Sequence, residues 1–234
     1  MTAESEPDAT DIWVPDMLRA FLSHSAVHKR FVHDVADALH TYGIDGFVAH
    51  DSIEVTKEWQ SEIERALRTA DMLVGFVHPE FTNSAWANQE VGWAYGREIP
   101  VFMVRLGADP LGFPSKFQWP DLKLADAEDV AARIAQLANS DQHFSDKIAG
   151  ALIAALREAR NYYEAGDAAE ALNNFDALTP GQFADLDQAY LLNDQVHGGV
   201  LAHRGLEPLY KRHRRPLPTV PSPPSREGRS LGWR

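Results

Sequence analysis

The run Met72-Leu73-Val74-Gly75-Phe76-Val77, followed after a short polar loop by Ser84-Ala85-Trp86-Ala87-Asn88-Gln89-Glu90, decides the fold of this chain. A near-continuous apolar run of this kind reads as a strand buried on both faces, and the second segment opens a helix. Trp86 and Glu90 lie four residues apart, so on a helix they share a face one turn apart. An aromatic plane beside a carboxylate at a strand end can hold a flat base and stabilise a developing cation. The same spacing also describes an ordinary packed Trp beside a solvated Glu, and the pair alone does not choose between them.

The flanking sequence repeats the pattern. Arg19-Ala20-Phe21-Leu22-Ser23 reads as a first strand running into the polar loop Ser23-His24-Ser25. A helix follows from about Val27, with Phe31, Val35, Leu39 and Tyr42 on one face and Gly43 just past its end, where a left-handed residue is favoured. Ile44-Asp45-Gly46-Phe47-Val48-Ala49 is the second strand, and the polar loop 50–58 leads into a helix carrying Trp59, Ile63, Ala66, Leu67 and Ala70. After the helix over 84–95 comes a fourth strand over 99–106, with Pro100 tolerable at its start. Lys116-Phe117-Gln118-Trp119 reads as a weak fifth strand and 126–138 as a last helix. Strands alternating with helices predict a parallel sheet covered on both faces, with a ligand crevice beyond the carboxyl ends of the strands. The loops 23–25, 50–58 and 79–84 converge there.

Beyond Ser140 the pattern is helical only. Segments 153–165 and 167–178, separated by Gly166, read as a helical hairpin, and 165–175 looks like the turn and second helix of a tetratricopeptide repeat. A single such unit is below the number that stacked repeats need for stability. A further helical stretch is expected over 183–203. The predicted organisation is a disordered N-terminus over 1–17, an α/β domain over 18–138, a helical region over 141–210 and a basic, Pro-rich disordered tail over 211–234.

Composition narrows the classes. The 234 residues suffice for one medium domain with an appendage, and 44% hydrophobic with 24% charged residues fits a globular protein. With no cysteine there are no disulfides, no thiolate metal sites and no cysteine nucleophile. No secretory signal and no apolar run of membrane-spanning length is visible, so the expected location is cytoplasmic and no membrane partner is expected. The net charge of −12 is uneven: 211–234 hold seven Lys or Arg against one Glu, a net +6, which leaves −18 on 1–210. An acidic body argues against nucleic acid as the partner, because duplex binding needs phosphate neutralisation.

Several residues carry two readings. Ser84 fits a helix N-cap as well as a ligand contact. Trp93, seven residues after Trp86, reads as core. His24 and His28 have helical metal-ligand spacing, but a third ligand is missing. Ser23 lacks the G-x-S-x-G turn of a serine nucleophile, and Gly43 and Gly46 are turn punctuation.

With Phe21-Leu22-Ser23-His24-Ser25 after the first strand and Ser84-x-Trp86-x-x-x-Glu90 after the third, residues 18–138 resemble the bacterial TIR domain. The resemblance implies a flavodoxin-like five-stranded parallel sheet, here followed by a small all-α region. Many bacterial members cleave NAD+ at the nicotinamide–ribose bond, giving ADP-ribose or a cyclised variant, often in anti-phage defence. It implies Glu90 as the catalytic acid, and Phe21, Ser23, His24, Ser25, Asp51, Ser84 and Trp86 as substrate-binding residues. NAD+ would be a substrate; no cofactor and no metal are implied. The loop 51–58, which often completes a neighbour's site in TIR assemblies, lacks the Pro- or Gly-rich tip of many relatives. Self-association and a downstream effector sensing the product are the implied partners.

The chemistry is consistent with a single acid. Nicotinamide departs neutral from a cationic pyridinium, so no general acid has to protonate it and a carboxylate pair is unnecessary. One carboxylate near the ribose stabilises an oxocarbenium-like centre, more strongly in a desolvated pocket. Trp86 can stack on a ring, and the loop amides and hydroxyls of 23–25 can bind pyrophosphate. The competing expectations are a non-catalytic scaffold acting through TIR–TIR contacts and, more remotely, an N-glycosidase or deoxyribosyltransferase acting on nucleosides or nucleotides.

Overall fold

Apolar residues alternate between the two faces of the central strands, and this parity builds the layers. The structure, a computed structural model, describes residues 12–49 and 57–220. Strands β1 (Leu18–Ser23), β2 (Ile44–Val48), β3 (Met72–Val77) and β4 (Val101–Arg105) form a wholly parallel sheet in the order β2-β1-β3-β4. Helices α1 (Lys29–His40), α2 (Lys57–Thr69) and α3 (Ala85–Gly96) are the crossovers, and α4 (Ala127–Asn139) follows the last strand. Leu18, Ala20 and Leu22 of β1 face the core built with α1 and α4, whereas Phe21 faces the core built with α2 and α3. Chain order reverses between β1 and β3, so the crevice beyond their carboxyl ends is the ligand-binding position of this architecture.

The predicted fifth strand is not formed. Phe113–Lys116 is a 3-10 turn entered through Gly112 at φ 70°, and the indole N–H of Trp119 donates to the Pro114 carbonyl at 2.8 Å. Only Asp121 forms a bridge, to Arg105 of β4. Pro114 and the local turn bonds hold this segment out of the ladder.

The helical region is α5 (Gln142–Glu158), α6 (Tyr162–Asn173), α7 (Pro180–Leu192), the single turn α8 (Asp194–His197) and α9 (Val200–Arg212). The expected break at Gly166 falls instead before Asn161, whose side chain caps α6 by accepting from the Tyr163 and Glu164 amides. Gly166 lies inside α6 against Leu201 of α9, where a Cβ would stand 2.7 Å from the Leu201 Cβ. α5 packs on β1 and α4, and its buried residues Ile148, Leu152 and Leu156 join the same core as α1 and α4.

Segments 12–17 and 211–217 are more ordered than their composition suggests. Trp13 is buried against Phe47, its indole donating to Thr69 Oγ1 at 2.7 Å, and the Val14 amide donates to Asp45 at 2.7 Å. The expected disordered lead-in therefore does not extend over 12–17. At the other end Arg212 donates to the Asn173 and Phe175 carbonyls, Arg215 pairs with Asp187 at 2.8 Å, and Leu217 packs on the core. The predicted disorder from 211 onward is thus absent over 211–217. Residues 1–11 of the predicted N-terminal segment and 221–234 of the basic tail lie outside the described residues. Among the described residues no helix is long and apolar enough to cross a membrane.

Candidate active site

Ser23 ends β1 two residues after Phe21, so strand parity sends its side chain toward α3. On α3, Ala87, Glu90, Val91 and Ala94 form the inward face, which brings Glu90 to the same place. The Ser23 hydroxyl donates to Glu90 Oε2 at 2.6 Å, and both residues are buried, Glu90 being 5% exposed. Below them Gly75 pairs with Ser23 in the sheet; a Cβ there would stand 2.4 Å from Met103 Sδ and 3.2 Å from the Phe81 ring. The glycine thus lets Met103 and Phe81 pack tightly under the acid.

Ser84 is the N-cap of α3, accepting from the Ala87 amide at 3.2 Å, and this fixes the start of the helix that carries the acid. Trp86 lies one turn before Glu90 and is 40% exposed, so the aromatic sits at the surface end and the carboxylate in the interior. Trp93 is 36% exposed beneath the Arg68 guanidinium, 5.8 Å from its ring centre, and is not the core residue its spacing suggested. Phe21 is fully buried and stacked on Phe47 at 5.5 Å, which makes it part of the floor rather than a surface for a ligand.

The loop after β1 completes one wall. His24 is buried with Nδ1 2.9 Å from the Leu22 carbonyl, so that nitrogen carries the proton. Ser25 opens the 3-10 turn Ala26–His28, and its buried hydroxyl has no hydrogen-bond partner among the described residues. Asp51 and the loop residues 50–56 lie outside the described residues.

His78, not singled out from the sequence, bridges the lips of the crevice with His28. His78, just past β3, stacks on His28 with ring centres 3.3 Å apart, and His28 Nε2 lies 3.1 Å from Glu80 Oε2. Burial, reinforced by the neighbouring His28, pushes the His78 imidazole down to about 4, so it is neutral near pH 7. The position of His78 directly after the third strand was the available signal. Among the described residues no group of three or more His, Asp or Glu is placed to hold a metal ion.

Open clefts lie elsewhere: about 620 Å³ beside Tyr42, Arg133 and Asn174, and about 700 Å³ beside Phe31, Asp37 and Tyr42. Neither cleft is lined by Ser23 or Glu90, which are buried together at the switch point.

A parallel sheet of this order, with an acid held at the β1/β3 switch point by a helix capped just before it, defines a flavodoxin-like α/β domain. A family model described as TIR domain matches residues 20–138, and the chain belongs to the TIR domain family. No curated protein matches it.

Proposed function

We propose that this protein is an NAD+ nucleosidase that breaks the nicotinamide–ribose bond, with Glu90 as its catalytic residue. The observation that carries the reading is the burial of Glu90 at the sheet's switch point, hydrogen-bonded to Ser23. A charge kept in such a place costs stability unless it is used or compensated. The family includes NAD-cleaving enzymes, and the reaction needs what this site offers. The pyridinium leaves as neutral nicotinamide, the carboxylate stabilises the positive charge growing on the ribose, and enclosure strengthens that interaction. Trp86 supplies a surface on which a ring can stack. The product is ADP-ribose when water takes the ribose, or a cyclic variant when the adenine does.

Glu90 is too enclosed to meet substrate until the loops around it part. The reading therefore includes activation, by self-association of TIR domains or by a trigger acting through the helical region, in cytoplasmic anti-phage signalling through a nucleotide product. A non-catalytic scaffold is the second reading, favoured by Trp86 and Trp93 standing exposed on the outer side of α3.

Nicotinamide release from NAD+ by concentrated full-length protein, alone and with candidate activators, tests the proposal. Glu90→Gln is expected to lower turnover roughly 100-fold or more while keeping the fold. A Glu90→Gln variant as active as the parent sinks the role of Glu90, and no turnover under any assembled condition leaves the scaffold.

A further inference from the structure

The sequence groups Ser23 with the substrate contacts, but its geometry assigns it elsewhere. Ser23 is fully buried at the last position of a central strand, in register with Gly75 of β3 and one residue past Leu22, which pairs with Val48 of β2. Its side chain has one carbon and a hydroxyl, so strand placement leaves the Oγ only three staggered χ1 positions, and the one adopted meets Glu90. The 2.6 Å separation from Glu90 Oε2 makes this a short O–H···O hydrogen bond. Packing of Met103 and Phe81 beneath Gly75 leaves that part of the site little room to rearrange.

We infer that Ser23 is a positioning residue: its hydroxyl holds the Glu90 carboxylate in orientation for the ribose and does not itself bind substrate. The inference rests on the nucleosidase reading for its kinetic consequence, and on geometry alone for the contact. The hydroxyl proton stays on Ser23 throughout, and no bond to Ser23 forms. A substrate contact made in ground and transition state alike would act on KM; an orienting contact acts on kcat.

The test compares Ser23→Ala, Ser23→Cys and Ser23→Thr with the parent and Glu90→Gln in the full-length chain. Loss of the strong donor in the Ala and Cys variants is expected to lower kcat roughly 10- to 100-fold with KM for NAD+ within about twofold. The Thr variant, which keeps the hydroxyl, is expected to recover most of kcat. A rise in KM at unchanged kcat overturns the inference in favour of substrate binding. Abolition in Ser23→Ala as complete as in Glu90→Gln, with a covalent ribosyl adduct on the parent by intact mass, overturns it in favour of a nucleophile. A readout independent of turnover is the 13C carboxylate resonance of Glu90, assigned with Glu90→Gln. It is expected to move in Ser23→Ala and to return toward the parental position in Ser23→Thr. A resonance that does not move overturns the inference while the nucleosidase reading stands, and a parent without turnover overturns that reading while the resonance still reports on the contact.

Discussion

Lys147 of α5 places its ammonium 2.5 Å from Asp71, the residue that opens β3, and Arg19 of β1 grips the other oxygen of the same carboxylate at 3.2 Å. The helical region is thereby fastened to the amino-terminal edge of the sheet, the end opposite Glu90. Gly43, in a left-handed turn at φ 72°, lets this edge come close to Ile148 and Ala151 of α5. The α1/α4 layer and the later helices share one apolar core.

Removal of residues from 141 onward is therefore expected to expose the face of α1 and α4 that Ile148 and Leu152 cover. The truncated chain should melt at markedly lower temperature or aggregate, whereas Lys147→Ala alone should cost only about 1 kcal/mol, because Arg19 still pairs with Asp71. Thermal melts followed by circular dichroism compare the two. A cooperative truncated domain with an unchanged melting temperature would show that the helical region is an independent appendage.

Stability should fall on both sides of a mildly acidic optimum. The hydrogen bond that His40 donates to Asp45 raises its pKa, burial opposing it, so its contribution is complete below the ordinary imidazole value and fades as pH rises through the raised one. His78 behaves oppositely. Its value of about 4 means that the unfolded chain takes up the proton first, and stability is lost as pH falls from about 6.5 toward 4. Asp71 adds to the acid-side loss: burial alone would raise it, but Arg19 and Lys147 hold it below the ordinary carboxylate range. Melting temperature against pH should lose its acid limb in part in His78→Asn and its alkaline limb in His40→Asn. Identical profiles for parent and variants would contradict the assignment.

Two glycines should respond with opposite sign. A Cβ on Gly205 of α9 would stand 2.5 Å from the Ala169 carbonyl carbon of α6, a backbone atom that cannot step aside, so Gly205→Ala is expected to destabilise by about 1–3 kcal/mol. Gly92, exposed on α3 with nothing within 4 Å of such a Cβ, should gain up to about 1 kcal/mol on mutation to Ala. Urea denaturation midpoints at constant m-value separate the two. Equal effects would mean that helix propensity, not the close approach of α6 and α9, governs both sites.

The layered α/β core was legible because its signals are strong and local: apolar runs, helical spacing in 31–42, and a glycine at the turn after α1. The meeting of Ser23 and Glu90 was legible only as a shared crevice, although the parity of Phe21 and Ser23 contains its direction. The expected fifth strand rested on two apolar residues, Phe117 and Trp119, where Gly112, Pro114 and the Trp119 indole bond dictate a turn. The boundary of α6 was carried by Asn161 and Glu164, a capping pair with mutual bonds, and not by Gly166, whose smallness serves the contact with α9. Trp13 shows the limit of composition: one aromatic with a matched acceptor, Thr69, orders a polar-looking segment. Contacts between distant segments, as for Trp13 and Lys147, leave no periodic trace in the sequence.

Trp86 and Glu90 share a helix but should fail in different ways. Trp86 keeps 40% of its surface in solvent at the first turn of α3, and Ser84 rather than Trp86 caps that turn, so Trp86→Ala should leave the melting temperature nearly unchanged. If the indole supplies a stacking surface for a ring of NAD+, its removal weakens binding by about 1–3 kcal/mol, which raises KM roughly 5- to 150-fold at little cost in kcat. Glu90→Gln should instead lower kcat, because a carboxylate matched to a growing positive charge acts in the transition state. Trp86→Phe, which keeps a smaller ring, should fall between the parent and the alanine variant. Steady-state nicotinamide release over a range of NAD+ concentrations resolves the two parameters, and a Trp86→Ala variant with parental KM would remove the indole from the site.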